Sequence, residues 1–281
     1  MKISIVFIAL FTMLLTGCLE IPSQETLQAN DGVRLIDRCP PVIPVSNQPQ
    51  KGLPATFSLT VWNLHKFQRA GWQKALSNQT KRSQLLLLQE SMARPAFFQL
   101  LRQANLQWHQ IQAFKLEDEA TGVLNASAVA AIYNCSQREL EPVSRIPKSA
   151  LLSLYPLTGS ASPLMVINVH GINFELGMAA YQRQMNKLFR LAEHYPGPVV
   201  LSGDFASWGK RRQAYLQNLA QQAKFAEVLP QPDQRSRFVS TPVDHLFYRG
   251  LQLLRTDVQD TNASDHNPLW AEFSVLQTPI K

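Results

Sequence analysis

The chain of 281 residues is long enough for one large domain or two small ones. A hydrophobic fraction of 45% against 17% charged residues excludes a disordered chain, a collagen and a coiled coil, and three cysteines are too few for a disulfide-built scaffold or a multi-zinc protein. The formal net charge of +7 favours anionic partners such as nucleic acid, phosphate esters or acidic lipid headgroups.

In chain order, the first element is an address. Met1-Lys2 is a minimal positive start, and Ile3–Leu15 is an apolar run too short to span a bilayer comfortably but suited to a signal h-region. It ends in Leu15-Thr16-Gly17-Cys18, which resembles a bacterial lipoprotein box. That resemblance implies removal of residues 1–17 and lipidation of Cys18, and acyl chains anchor by burial in the bilayer. Leu19 rather than Asp after the cysteine favours the outer membrane, with the body in the periplasm or exposed outside. The mature chain keeps Cys39 and Cys135, and an oxidising exported compartment permits a disulfide between them.

Residues 18–56 hold six prolines among Gln, Ser and Asn without sustained periodicity, which reads as a lipidated tether, with a short ordered stretch at Val33–Ile36. The pattern changes at residue 57, and no composition break follows, so 57–281 is expected to be one α/β domain. Phe57, Leu59 and Val61 alternate with Ser58, Thr60 and Trp62 as in a half-buried strand, whereas Leu85–Leu88 reads as a fully buried one. Helices are expected over 94–106 and 210–224, and a third where Met178, Tyr181, Met185, Leu188 and Ala192 recur at spacings of three and four. Further strands are expected at 164–169, 199–202, 243–248 and 269–275. Gly197-Pro198 stops the third helix before one of them.

Isolated acids, amides and imidazoles stand at the ends of these apolar runs: Asn63, Glu90, His170, Asp204 and the pair Asp265-His266. Strand ends are where a sheet presents side chains to a shared cleft. Any one of these residues has an ordinary reading as a turn cap or a salt-bridge partner, but five such ends in one domain point to a site.

Trp62-Asn63, Leu88-Gln89-Glu90, Ile167-Asn168-Val169-His170, Leu201-Ser202-Gly203-Asp204-Phe205, Val243-Asp244-His245-Leu246-Phe247 and Ser264-Asp265-His266-Asn267-Pro268-Leu269 occur in this order. The series resembles the endonuclease/exonuclease/phosphatase superfamily, the DNase I-like metal-dependent phosphoesterases, over about residues 57–275. The resemblance implies a four-layer α/β/β/α sandwich, two mixed β-sheets face to face with helices outside. It also implies a divalent-metal-dependent phosphodiester hydrolase using Mg²⁺ or Mn²⁺, and a nuclease in the cell envelope is the expectation. A hard cation stabilises charge on the phosphate and takes oxygen ligands. Glu90 is the leading ligand, with Asn63 and Asp265 in support.

The catalytic set implied is His170, Asp204, Asp244 and His266. Asp244 fixes the His266 imidazole, which suits a base that activates water. Asp204 orients that water or shares in metal binding, and whether Asp204 or His266 is the base stays open. His170 and Asn168 are implied as phosphate-side groups; Lys66, read from the residues alone, could reach a substrate phosphate or be a solvated surface lysine. One position departs from the pattern: the family reads Gly-Asp-x-Asn, and this chain reads Gly203-Asp204-Phe205-Ala206. Losing that amide weakens transition-state stabilisation by about 2–4 kcal/mol, by analogy with one preorganised donor, unless Ser207 substitutes for it.

Ala206 motivates a rival reading, a phosphate-binding pseudoenzyme. A second rival is a phospholipid phosphodiesterase of the sphingomyelinase type, which a long exposed aromatic hairpin would support; none is legible. Trp62 and Trp208 could stack on bases, though core packing is the simpler reading, and Lys210-Arg211-Arg212 could track a polyanion. P-loop, zinc-ligand and Gly-x-Ser-x-Gly spacings are missing from the sequence.

Overall fold

The computed structural model describes residues 19–44 and 51–276; the expected signal segment, residues 1–17, and Cys18 lie outside them. The N-terminal segment forms β1 (Leu19–Glu20), β2 (Thr26–Ala29) and β3 (Gly32–Leu35). The body continues with β4 (Thr56–Asn63), α1 (Trp72–Arg82), β5 (Leu85–Met92), α2 (Pro95–Gln103), β6 (Gln107–Gln112), β7 (Phe114–Leu116), β8 (Glu119–Ser127), β9 (Tyr133–Leu140) and β10 (Pro147–Tyr155). The remaining elements are β11 (Leu164–His170), α3 (Ala179–Glu193), β12 (Val199–Asp204), α4 (Lys210–Gln222), β13 (Ala226–Glu227), β14 (Arg237–Phe238), β15 (Thr241–Pro242), β16 (Asp244–Arg249), β17 (Leu251–Val258) and β18 (Leu269–Val275).

Among the described residues, two large mixed sheets result, beside the small β14–β15 pair. The larger runs β17-β18-β4-β5-β8-β6-β2-β3, with β7 joining β8 to β1; the smaller runs β13-β16-β12-β11-β10-β9. The period-two alternation of each strand sorts its side chains between two cores. Leu59, Val61, Leu85 and Leu87 of the larger sheet meet Leu164, Val166, Val200 and Leu246 of the smaller one in a core between the sheets. On the outer face of the larger sheet, Trp62, Leu86 and Leu88 pack against Trp72 and Leu76 of α1 and Phe97 and Leu101 of α2. On the outer face of the smaller, Met165, Ile167, Val169, Val199 and Leu201 pack against Tyr181, Met185 and Leu188 of α3 and Leu216 of α4. Each buried large aliphatic side chain contributes roughly 1.5–3 kcal/mol. The layers are therefore helix, sheet, sheet and helix. Sheets covered on both faces explain why β5 reads as an uninterrupted apolar run.

The expected tether is corrected over much of its length. Leu27 and Ala29 are buried, and β2 pairs antiparallel with β6, extending the larger sheet by a hairpin. Glu25 is buried as well, and its carboxylate accepts the hydroxyls of Ser136 (2.5 Å) and Ser149 (2.6 Å) on the smaller sheet. Cys39 and Cys135 are bonded, with 96 residues of sequence separation, and Cys39 N–H donates to Ser136 O at 2.9 Å. Prolines and polar residues concealed this docking because the segment uses backbone pairing and a buried carboxylate, with few apolar anchors.

Candidate active site

One end of the sandwich turns polar because the inward-facing file of each central strand changes character there. Leu59 and Val61 are followed in that file by Asn63, Val166 by Asn168 and His170, Val200 by Ser202 and Asp204, and Leu246 is preceded by Asp244. Glu90 would follow Leu86 and Leu88 onto the outer face, but the β5–β8 register shifts between Leu88 and Ser91, and Glu90 takes φ +49°. A bulge of this kind re-aims a side chain, and here it turns Glu90 towards His170, whose Nε2 lies 3.5 Å from Glu90 Oε1.

The end residues meet across the two sheets. Asn63 Nδ2 donates to Asp204 Oδ2 at 3.0 Å, and Asp204 Oδ1 accepts the Ala206 N–H at 2.8 Å. His266 Nδ1 donates to Asp244 Oδ2 at 2.8 Å, and His266 Nε2 lies 3.9 Å from Asp204 Oδ2. The loop carrying His266 is fixed by the Trp62 indole, which donates to His266 O (2.8 Å), and by Ser264 Oγ, which donates to Asn63 O (2.7 Å). Trp62 is thus a core residue with a structural hydrogen bond and no face for a base.

Strain concentrates at this site. His65, Lys66 and Phe67 have φ of +47°, +53° and +57°, and Glu90 and Ala206 are also left-handed. Such backbone costs roughly 1–2 kcal/mol per L-residue and persists where the surroundings over-determine it. The left-handed turn brings Lys66 onto Glu90 Oε2. Gly203 answers a different demand: at φ +142°, a Cβ there would stand 2.0 Å from Val169 O.

Charge is finely divided among these groups. Burial opposes the His266 charge, but Asp244, Asp204 and Asp265 outweigh it and push the imidazole up to about 10, so it is an imidazolium at neutral pH. Burial, helped by the neighbouring Asp204 carboxylate, pushes Asp244 above the usual carboxylate range, and its contact with His266 opposes that. Burial would raise Glu90 too, yet His170, Lys66 and Lys148 hold it at about 2. Burial and the neighbouring Lys148 bring His170 down to about 4, leaving a neutral ring. Asp204 is held below its ordinary value against burial by His266 and His170.

The sequence-derived residues are not all placed alike. Glu90, His170, Asp204, Asp244, His266 and Asn63 converge. Asp265 is exposed at the margin, with Oδ1 3.4 Å from His65 Nδ1. Asn168 is corrected: it is fully buried, accepts from Gln89 Nε2 (2.6 Å) and donates to Leu88 O and Leu124 O (3.1 Å each), so it ties the sheets together and cannot reach a phosphate. Ser207 cannot stand in for the family's Asn either, because its buried hydroxyl is engaged by Pro242 O (2.9 Å) and His245 Nε2 (2.8 Å). Arg212 is likewise buried: it donates to Ile172 O, Ala206 O and Asn173 O and lies 4.5 Å from the Tyr181 and Trp208 rings. Only Lys210 and Arg211 of that basic run face solvent.

Sequence reasoning missed Lys148, at the start of β10, whose Nζ lies 2.9 Å from His170 Nε2. It also missed the apolar rim. Phe174 and Leu176 are exposed on the loop after β11, and Phe238 and Val239 on the β14–β15 hairpin, with Leu176 98% and Val239 91% accessible. Trp208 links the two, donating from Nε1 to Asn173 Oδ1 at 2.9 Å and lying 6.0 Å from the Phe238 ring.

Asp204, Asp244 and His266 offer ligand atoms within 4.8 Å of one another. His266 is a poor metal ligand while protonated and bonded to Asp244, so the donors suited to a hard cation are carboxylate and amide oxygens of Glu90, Asp204, Asn63 and Asp265. The Lys66 ammonium on Glu90 shows that carboxylate already engaged by a cation.

No protein-family model matches the chain. Among solved structures, it is similar to an endonuclease/exonuclease/phosphatase from Beutenbergia cavernae DSM 12333, with TM-score 0.64 and 15% identity over 80% of this chain and 73% of that one. The human Nocturnin catalytic domain with bound sulfate anion superposes with TM-score 0.61 and 15% identity, over 80% of this chain and 97% of the other. D. rerio TDP2 complexed with single-strand DNA product gives 0.60 and 14%, over 78% and 99%. Layers, topology and these superpositions together give the chain the DNase I-like fold shared by endonuclease/exonuclease/phosphatase proteins.

Proposed function

We propose that the chain is a divalent-metal-dependent phosphodiester hydrolase of the endonuclease/exonuclease/phosphatase superfamily, acting on nucleic acid in the cell envelope. The observation that carries this reading is the meeting of Glu90, His170 and Asp204 with the Asp244–His266 ion pair at one end of the sandwich, from strands of both sheets. Mg²⁺ or Mn²⁺, held by Glu90 with Asn63, Asp204 or Asp265, would supply Lewis-acid stabilisation of negative charge on the phosphate.

The chain's own groups divide the remaining work. The His266 imidazolium donates from Nε2 to an oxygen of the phosphate, and Asp244 keeps that proton in place. Asp204 is the ionised acceptor nearest that nitrogen; it orients the attacking water and receives its proton. Neutral His170, on the next strand beyond Asp204, lines the opposite side of the phosphate. Ala206 leaves one donor fewer than the resembling pattern, which makes the enzyme slower without removing any of these groups. The Leu15-Thr16-Gly17-Cys18 box supports lipidation at Cys18, and Leu19 in place of Asp after it favours the outer membrane.

A second reading, a phospholipid phosphodiesterase, is favoured by one observation: the exposed Phe174, Leu176, Phe238 and Val239 on loops beside His170 and Asp204. Exposed apolar patches of this kind mark interaction surfaces. Plasmid nicking with Mg²⁺, compared with EDTA and with Glu90→Ala, tests the first reading; cleavage that survives both controls overturns the metal assignment. Sphingomyelin vesicles cleaved faster than plasmid would favour the second.

A further inference from the structure

The cleft holds three cationic side chains, and two of them are matched by a carboxylate in contact. His266 lies on Asp244 and Lys66 on Glu90. Lys148 is different. Among the described residues its hydrogen bond is to the neutral His170 ring, at 2.9 Å from Nζ to Nε2. It is the second residue of β10, beside the end of β11, and is half-buried. Glu90, Glu141 and Asp204 act on it from a distance, Lys66 repels it, and burial pushes it below the usual lysine range. A desolvated ammonium without a contacting carboxylate is unfavourable unless an anion completes the site. The ammonium also fixes the ring: a neutral His170 that accepts at Nε2 carries its proton on Nδ1.

We propose that Lys148 is a substrate-binding residue, its ammonium meeting a non-bridging oxygen of the scissile phosphate from its seat on His170 Nε2. This rests on the phosphodiesterase reading above and deepens it: the anion subsite is the Lys148–His170 pair on β10 and β11, opposite the Asp244–His266 pair. Lysine serves such a site as a point charge with three donors, one of them used by His170 and the others free for phosphate oxygens.

The test uses the purified full-length chain, with Lys148→Met, Lys148→Arg and Glu90→Gln beside it. The first readout is hydrolysis of bis(p-nitrophenyl) phosphate with Mg²⁺. The second is the rise in Tm on adding inorganic phosphate. Lys148→Met should lower kcat/KM about 10- to 100-fold, the range for one charge-assisted hydrogen bond, with the larger part in KM. It should also abolish the phosphate-dependent rise in Tm, and Lys148→Arg should restore most of both. An active wild type whose Lys148→Met variant stays within about threefold, or keeps the full phosphate response, overturns the inference alone. A wild type inactive on every phosphodiester overturns the parent reading. In that case a phosphate response lost in Lys148→Met and kept in Glu90→Gln still supports the anion subsite, and its persistence in Lys148→Met overturns that too.

Discussion

The Asp244–His266 pair allows the most direct physical test. Asp244→Asn keeps an oxygen that accepts from His266 Nδ1 and removes the charge that holds the ring protonated. In the wild type the ring stands at about 10, from an ordinary 6.5. That difference is worth roughly 5 kcal/mol in favour of the imidazolium. Much of it offsets the burial of Asp244, whose own carboxyl is pushed up, so the net contribution to stability is smaller, about 1–3 kcal/mol. Because the folded-state value is raised, this contribution is fully present below pH 6.5 and is lost as pH rises through about 10. Without that carboxylate, burial is opposed only by Asp204 and Asp265, and the ring gives up its proton at a lower pH than in the wild type. The basic limb of the pH–rate profile, near 10 in the wild type, should therefore move to lower pH in the variant. NMR titration of the His266 Cε1 proton and hydrolysis rates between pH 5 and 11 measure it. A ring that still titrates near 10 in the variant, or a basic limb that stays in place, would refute the assignment of His266 as a carboxylate-held donor.

Ala206 occupies a left-handed position, so Ala206→Gly should raise stability by about 1 kcal/mol without changing rate, and Ala206→Asn should match that gain and also speed turnover at least tenfold. Equal rates for the two variants in steady-state assays would count against the missing amide. Arg212→Met strips three carbonyls of their donor and two rings of a stacked cation, and should lower stability by about 2–4 kcal/mol in chemical denaturation, with faster amide exchange at Ile172 and Ala206. Cys39→Ser with Cys135→Ser should cost about 2–4 kcal/mol through the long loop the bond closes, while kcat stays within twofold because neither sulfur approaches the cleft. A large fall in kcat would show that the N-terminal segment bears on the site.

The parts of this site that could be read from sequence owe their legibility to strand periodicity. Asn63, His170, Asp204 and Asp244 each end an alternating or continuous apolar run, so the change from apolar to polar within one file marks the cleft. Glu90 fell in the same place for a different reason: a bulge, invisible in the pattern, corrects a residue that alternation assigns to the outer face. Lys148 gave no such signal, since Pro147–Tyr155 begins with Pro-Lys-Ser and its relation to His170 exists only through the β10–β11 pairing. The middle strands were hidden because polar residues interrupt their buried positions. In β8 and β10, Asn125 and Ser153 are both buried and bonded to each other at 3.0 Å. Asn168 misled in the opposite direction: its place beside His170 suggested a ligand-binding amide, while its position in the file aimed it at the facing sheet. The helix α1 was missed because Trp72 and Leu76 are nearly its whole apolar face.

The amide of Asn168 lies where two stacked sheets could otherwise slip. It belongs to the smaller sheet and takes Gln89, Leu88 and Leu124 of the larger one as partners. Slippage by a single residue would move the facing surfaces by about 3.3 Å, enough to break all three bonds and to part Asn63 from Asp204. The scaffold is therefore latched against shear, and any opening or closing of the mouth over a substrate has to come from the surface loops around it, chiefly 171–178 and 236–242, with the two sheets standing still beneath them.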